Sequence, residues 1–527
     1  MSAHIDTFVR DNLPPRALWP DMQFKLPELQ FPQRYNASTM LDDAVARGFG
    51  GRIAISADAA ISYVDLLAQA SRIAHVLTQE MGLKPGNRVL ILAPNSALAI
   101  AVWWGVLRAG AVAVGAMPML RAPELGVIID KAQISHALVD RGLETEFAAA
   151  RSASGTLGRV FFLDELAARM ASAPAGFAPA PTAADDPALI AFTSGTTGNP
   201  KGCVHFHRDV AAMARTFSRH ILQPKAEDVF IGTPPFAFTF GLGASVIFPA
   251  AAGAATALPA KPGFDALADA VARHRATTLF TSPTGYRALL KIYDGRLSTL
   301  HTCVSAGEHL PRATSEQWFD RTGIRIIDGI GSTEMIHIFV SACGADIRPG
   351  ATGKAVPGYD ATLLDEHDQP IEGEGEGRLA IRGPTGCRYL ADERQRAYVV
   401  NGWNVTGDIY RRDAEGYFWY VSRADDMIIS SGYNIGAPEV ENALLTHPDV
   451  AEAAVIGVPD EERGQIVKAF VVLKRDARGD EAMVRTLQEH VKATIAPYKY
   501  PRAVAFLPEL PKTHTGKLQR FKLRAAE

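Results

Sequence analysis

The segment Thr193-Ser-Gly-Thr-Thr-Gly-Asn-Pro-Lys-Gly202 interleaves glycines, hydroxyls and one lysine. Glycine lets a backbone approach a ligand closely and turn its N–H groups inward, hydroxyls add donors, and Lys201 adds a compact positive charge. A polyphosphate needs that set of groups. The segment is not a Walker A loop, which places Gly directly before its lysine and Ser or Thr after it, whereas Pro200 and Gly202 flank Lys201. Gly516-Lys517 fails the same test, because Leu518 follows the lysine and Pro511 stands where the first glycine belongs. A Ser/Thr/Gly run alone also describes a flexible solvated loop, so the rest of the chain must decide. Directly after the run, Cys203, His205 and His207 alternate like ligands on one strand face. No second cluster lies nearby in sequence, and zinc sites require more ligands.

The elements that must position these residues follow an α/β pattern with a mainly parallel sheet, short β-rich runs alternating with amphipathic helical stretches. Strands are expected at Arg88 to Ala93, Ala188 to Thr193, Thr278 to Thr281, Thr302 to Ser305 and Arg325 to Asp328, with a helix over Ser96 to Leu107. Each strand ends at a small, polar or Gly-containing turn, and ligands of open α/β sheets gather outside such carboxyl ends. Arg151 to Asp186, rich in Ala, Pro, Ser and Gly, reads as a loosely packed connector. After about residue 425 the strand-like Val450 to Val458 and Ala469 to Leu473 and the helix-like Asp480 to Ile495 describe a small α+β unit.

At 527 residues the chain exceeds one folding unit, and 54 basic against 57 acidic residues leave a net charge of −3. With no basic run there is no electrostatic footprint for nucleic acid or an anionic membrane surface, which points to a small-molecule partner. The four scattered cysteines fit a reducing compartment, and the N-terminus lacks the apolar core of a signal peptide, so a cytoplasmic protein is expected. Val229 to Ala260 carries no charge, but its prolines and glycines disfavour a membrane helix, and a buried strand and helix are expected instead.

The phosphate-like run resembles that of the acyl-adenylate-forming superfamily, which includes acyl-CoA synthetases, firefly-type luciferases and the adenylation domains of peptide synthetases. The resemblance continues in order through Ser305-Ala-Gly-Glu308, Asp328-Gly-Ile-Gly-Ser-Thr-Glu334, Gly402-Trp-Asn-Val-Thr-Gly-Asp408, Arg423-Ala-Asp-Asp426, Ser431-Gly432 and Pro511-Lys-Thr-His-Thr-Gly-Lys517. It implies a large α/β domain of several subdomains over residues 1–424 and a small mobile α+β domain over residues 425–527. It also implies the reaction: a carboxylate attacks the α-phosphate of ATP, pyrophosphate leaves, and a thiol then displaces AMP. Joining two anions leaves catalysis mostly to positioning and placed positive charge.

The resemblance assigns parts residue by residue. Thr193, Ser194, Gly195, Thr196, Thr197, Gly198 and Lys201 would hold the phosphates, with Thr333 beside them, and Glu334 would help to hold Mg²⁺. Gly307, Glu308, Asp328, Gly329 and Ile330 would form the adenine slot, and Asp408 and Arg423 would take the ribose. Lys517 would reach the carboxylate and α-phosphate, Asp425 would be the hinge, and Gly432, Tyr433 and Lys499 would meet coenzyme A. His207, Phe236, Ala237, Phe238, Phe240, Ala306, Gly331, Ile336 and His337 would line the acid site, whose flat apolar walls beside small residues suit an aromatic ring.

The 328–337 version resembles benzoate-type coenzyme A ligases, and the opening Phe8-Val-Arg-Asp-Asn-Leu-Pro-Pro15 resembles 2-aminobenzoate ligases. The implied partners are a small aromatic acid, ATP and coenzyme A, with self-association into a homo-oligomer left open. Two departures stand out: Ile330 replaces the aromatic that often stacks on adenine, and Ser422 the glycine common before Arg423. Benzoate, hydroxybenzoates and medium-chain fatty acids are competing acids. Rival readings are an adenylation enzyme loading a carrier protein, a non-catalytic nucleotide sensor and an ADP-releasing P-loop enzyme.

Overall fold

Arg88–Leu92 and Val112–Ala116 are buried along their whole length, as parallel strands covered on both faces must be. In the computed structural model, which describes residues 2–153, 155, 157–193, 200–430, 433–460, 463–475, 477–495, 497–512 and 518–526, they are central in a six-stranded sheet. Its other strands are Arg159–Phe162, His136–Val139, Pro187–Thr193 and Lys201–Phe206, and only the last pair is antiparallel. A nine-stranded sheet holds Ile326–Gly331, Thr302–Ser305, Thr278–Thr281, Val229–Gly232, Ala255–Ala257 and Ile53–Ser56 in parallel, with antiparallel strands at both edges. An antiparallel five-stranded sheet, including Trp403–Arg412 and Phe418–Arg423, completes the large domain. The helix Ala97–Arg108 starts where Ser96 caps it, its side chain accepting from the Ala99 N–H.

The charge-free stretch resolves into the strand Val229–Gly232, helical turns from Thr239 to Ala252 and the strand Ala255–Ala257. Among the described residues no helix is long and apolar enough to cross a membrane. The expected connector over Arg151 to Asp186 is corrected: Arg159–Phe162 is a sheet strand, and the helix Leu163–Met170 after it buries Leu163, Leu166 and Met170. Those three lie at helical spacing, a stripe that the Ala- and Pro-rich composition around it concealed.

The small C-terminal domain pairs Val450–Asp460 with Gly464–Leu473 and Ala503–Phe506. Val440 and Leu444 of the helix Ala437–Leu445, with Leu487 and Val491 of Glu481–Thr494, close over the sheet residues Val455, Val467 and Val471. The domain meets the large one where Asn442 Nδ2 donates to His309 Nε2 at 3.2 Å, the His309 ring stacking on Tyr420.

Candidate active site

Thr302–Ser305 and Ile326–Gly331 run side by side in parallel, with Ser305 opposite Asp328, so Ala306, Gly307, Glu308, Gly329 and Ile330 emerge at adjacent carboxyl ends. Gly307 turns the chain away with φ at +89°, a conformation open to glycine. Glu308 is fixed by Thr284, whose hydroxyl donates to Oε2 at 2.9 Å. These residues form one short ledge. Beneath it Asp328 shares a small cavity with Leu310, Ser315 and Thr352, and its Oδ1 is shut from solvent without a partner.

Burial pushes the Asp328 carboxyl from 3.8 up to about 7. A folded value above the unfolded one means that this group's contribution to stability is full below about pH 3.8 and is lost as pH rises through about 7. Asp328→Asn is expected to remove that component. Thermal melts between about pH 4 and pH 8 should then fall less for the variant than for the native chain, and parallel curves would refute the assignment.

Asp408 and Arg423 face each other across the strands Trp403–Arg412 and Phe418–Arg423, Nη1 donating to Oδ1 at 3.1 Å. Asp408 is buried, and its carboxylate is kept ionised by the neighbouring guanidinium.

A third group gathers around Glu334. Tyr389 donates its hydroxyl to Glu334 Oε1, and Lys201 Nζ lies 3.9 Å from the same oxygen and 4.8 Å from the Tyr389 ring centroid. Burial raises the Tyr389 phenol well above its ordinary range, so it remains the donor. One carboxylate with a hydroxyl beside it is an all-oxygen donor set, which fits a hard divalent cation that takes its other oxygens from phosphates and water. The lysine next to it suits the phosphates themselves. Among the described residues no cluster of three or more His, Cys, Asp or Glu could hold a metal alone. The alternating Cys203 and His205 reach instead toward the backbone that carries Glu334.

The aromatic stretch forms a pocket wall around His337. The rings of Phe217, Phe240 and Phe248 lie 5.3, 5.7 and 4.7 Å from the imidazole. A Cβ at Gly243 would come within 2.6 Å of His337 Cδ2, so glycine there is what admits the ring. Neither His337 nitrogen makes a hydrogen bond, and burial pushes the group down to about 3, which keeps it neutral. Phe236 and Ala237 lie in the loop before this wall. Asn95 clamps that loop, its Nδ2 donating to Pro234 O at 3.0 Å and its Oδ1 accepting from Phe236 N at 2.9 Å. Phe238 precedes the helical turn Thr239–Leu242, with its N–H on Pro235 O. Gly331 ends its strand against the His337 backbone, and Ile336 is buried with φ at +66°, a strained conformation for a β-branched residue.

Two expected site residues take partners of their own. His207 does not join the acid pocket: its Nδ1 accepts from Ala37 N at 3.1 Å, and burial pushes it down to about 3. It starts the helical run that continues to Leu222, and Phe217 lies ten residues along it, about 15 Å away at 1.5 Å per residue. The Lys499 ammonium sits 2.6 and 2.7 Å from the two Glu439 oxygens. Ser194, Gly195, Thr196, Thr197, Gly198, Gly432 and Lys517 lie outside the described residues, as do the side chains of Asp425 and Tyr433. Tyr389 and Asn95 are site residues that local motifs missed. Asn95 had a signal, since it follows the carboxyl end of Arg88–Leu92, whereas a lone tyrosine had none.

Comparisons with known proteins identify the family. The chain matches the family described as AMP-binding enzyme over residues 42–389, and the AMP-binding enzyme C-terminal domain over residues 439–517. A benzoate–CoA ligase of Thauera aromatica is 37% identical over 518 residues, covering 95% of this chain and 98% of that one. A 4-hydroxybenzoate–CoA/benzoate–CoA ligase of Rhodopseudomonas palustris is 35% identical, covering 93% and 94%. Among solved structures, the anthranilate CoA ligase AuaEII in complex with anthranoyl-AMP superposes with a TM-score of 0.90 at 33% identity, covering 95% of this chain and 99% of that one.

Proposed function

The chain belongs to the AMP-binding enzyme family, and from that premise we propose that its preferred acid is 2-aminobenzoate. It is an AMP-forming acid–thiol ligase of the benzoate-type branch, and it uses ATP, Mg²⁺ and coenzyme A. A carboxylate oxygen attacks the α-phosphorus and pyrophosphate departs. The thiol sulfur of coenzyme A then attacks the acyl carbon and AMP departs. In our reading Lys201 and residues 193–198 hold the phosphates, Glu334 and Tyr389 frame the cation that neutralises them, and Asp408 with Arg423 hold the ribose. Residues 425–527 turn about Asp425, presenting Lys517 for the first step and Gly432 and Tyr433 to the thiol for the second.

The observation that carries the choice of acid is His337. A neutral imidazole keeps one acceptor nitrogen, and here it is buried among apolar rings with no partner. An ortho amino group is a donor on a flat ring, which answers both the rings and the lone pair. The likeness to the anthranilate ligase supports this choice, whereas the benzoate–CoA ligase relatives favour unsubstituted benzoate.

AMP release with free coenzyme A across 2-aminobenzoate, benzoate, hydroxybenzoates and medium-chain fatty acids tests the choice. Leaving a buried acceptor unpaired costs about 1–3 kcal/mol, so kcat/KM for 2-aminobenzoate should exceed that for benzoate by about tenfold or more. His337→Phe should erase the difference. Equal use of both acids by the native enzyme would install the benzoate reading, and preference for an aliphatic acid would end the aromatic one. Inactivity with free coenzyme A would point to a carrier protein as acceptor.

A further inference from the structure

The strand Lys201–Phe206 sends Lys201, Cys203 and His205 to one face, and all three arrive at the same short segment, Thr333-Glu334. His205 Nε2 stands 2.7 Å from the Thr333 carbonyl oxygen, which can only accept, so the nitrogen donates. Cys203 Sγ lies 4.0 Å from the Glu334 carbonyl oxygen, within reach of a weak thiol hydrogen bond, and Lys201 Nζ lies 3.9 Å from the Glu334 carboxylate. The strand thus grips, at successive alternate positions, a segment 128 residues away in sequence.

Behind His205 lies a buried ion pair, close to Nδ1 but beyond hydrogen-bond distance. The imidazole is fully buried, Asp209 Oδ2 stands 3.8 Å from its Nδ1, and Arg388 holds that carboxylate oxygen at 2.7 Å, both partners being fully buried too. An imidazole serving only to fill space would not need an oriented N–H aimed at the backbone one residue before Glu334. Beyond that segment the chain is tied by Met335 O, which accepts from Thr385 Oγ1 at 2.9 Å, and then enters the positive-φ residue Ile336. The backbone of Thr333-Glu334 is therefore held both by its own turn, where Ile336 N donates to Thr333 O at 3.1 Å, and by the strand that follows the phosphate run.

We propose that His205, seconded by Cys203, is a positioning residue that fixes the Thr333–Glu334 backbone and so aims the Glu334 carboxylate at the nucleotide's cation. The proposal rests on the reading of Glu334 as a cation ligand. Small misplacements matter here, because a carboxylate orients its cation only within a narrow range of geometry.

The test uses the full chain with ATP and Mn²⁺, following free Mn²⁺ by electron paramagnetic resonance, alongside KM values and thermal melts. His205→Phe keeps a ring and loses the donor, whereas His205→Gln returns an N–H near the position of Nε2. His205→Phe is expected to weaken Mn²⁺ binding in the nucleotide complex by about tenfold and to raise KM for ATP, with KM for the acid within about twofold of the native value. His205→Gln should recover most of that loss, and Cys203→Ala should show a smaller change in the same direction. If His205→Phe proves unstable, His205→Asn takes its place, since its shorter amide cannot reach Thr333.

Native Mn²⁺ binding in the donor-less variants, no recovery with Gln, or a parallel rise in both KM values would overturn the proposal. Glu334→Gln separates the two layers. If it loses Mn²⁺ while His205→Phe does not, positioning alone fails; if it keeps Mn²⁺, the reading of Glu334 falls and the proposal with it.

Discussion

Lys517→Ala is expected to lower the rate of pyrophosphate exchange by about 100- to 1,000-fold and to leave thioester formation from supplied acyl-adenylate close to native. The first half-reaction drives a carboxylate onto a phosphate, and a placed positive charge offsets the negative charge that accumulates between them. The second joins a thiol to an acyl group whose AMP already carries the leaving charge, so it has no such need for this lysine. The flanks of residues 513–517 are held in the small domain. Lys512 and Leu518 form an antiparallel bridge, and Gln519 N donates to Pro511 O at 2.9 Å. Leu510 and Leu523 are buried with Ile456 and Phe470, and Arg520 Nη2 holds Glu441 at 2.7 Å. The residues on either side of 513–517 are thus anchored in the small domain. Lys517→Arg should restore only part of the rate, because a planar fork cannot replace a compact ammonium at a crowded centre. Exchange and thioester formation measured on one preparation decide the matter, and equal loss of both would sink this role.

The sheet strands were legible wherever short charge-free, mainly apolar runs lie between turns. Thr278–Thr281 and Thr302–Ser305 form as expected, and the strand expected to end at Asp328 continues to Gly331 because Ile338–Ser341 pairs with it. That pairing is invisible in the local pattern, since glycines at 329 and 331 read as a turn. The small domain's helix was legible through its ends as well as its stripe, Asp480 accepting from Met483 N at the start of Glu481–Thr494. Composition misled over Arg151 to Asp186, where alanine and proline hid a three-residue apolar stripe.

The site was legible as motifs, less so as contacts. Alternating Cys203 and His205 announced a strand face with a task, but the partners lie on the 333–334 backbone, which carries no side-chain signature. His207 shares their spacing, yet it begins the next helix, where the period of two no longer applies. Tyr389 reaches Glu334 from the chain following the five-stranded sheet's second strand, Gly375–Arg382, and only the tertiary fold brings the two together.

Asp408→Ala should reduce kcat/KM for ATP by about 100-fold or more while leaving the fold nearly as stable as before. The functional side follows from what a ribose offers: two hydroxyl donors, each of which gains about 1.5–3 kcal/mol from a charged acceptor. The structural side follows from exposure. Asp408 is buried but Arg423 is 41% exposed, so once the carboxylate is removed water solvates the guanidinium and the stability loss should stay at about 1 kcal/mol. A large kinetic loss beside a small melting shift is the signature of a ligand contact, whereas a buried structural pair would show the reverse. The nucleotide itself supplies the sharper readout. The native enzyme should discriminate against 2′-deoxy and 3′-deoxy analogues of ATP, and Asp408→Ala should treat all three nucleotides alike. Discrimination that survives the substitution would place the ribose elsewhere, and an unchanged KM for ATP would remove Asp408 from the nucleotide site altogether.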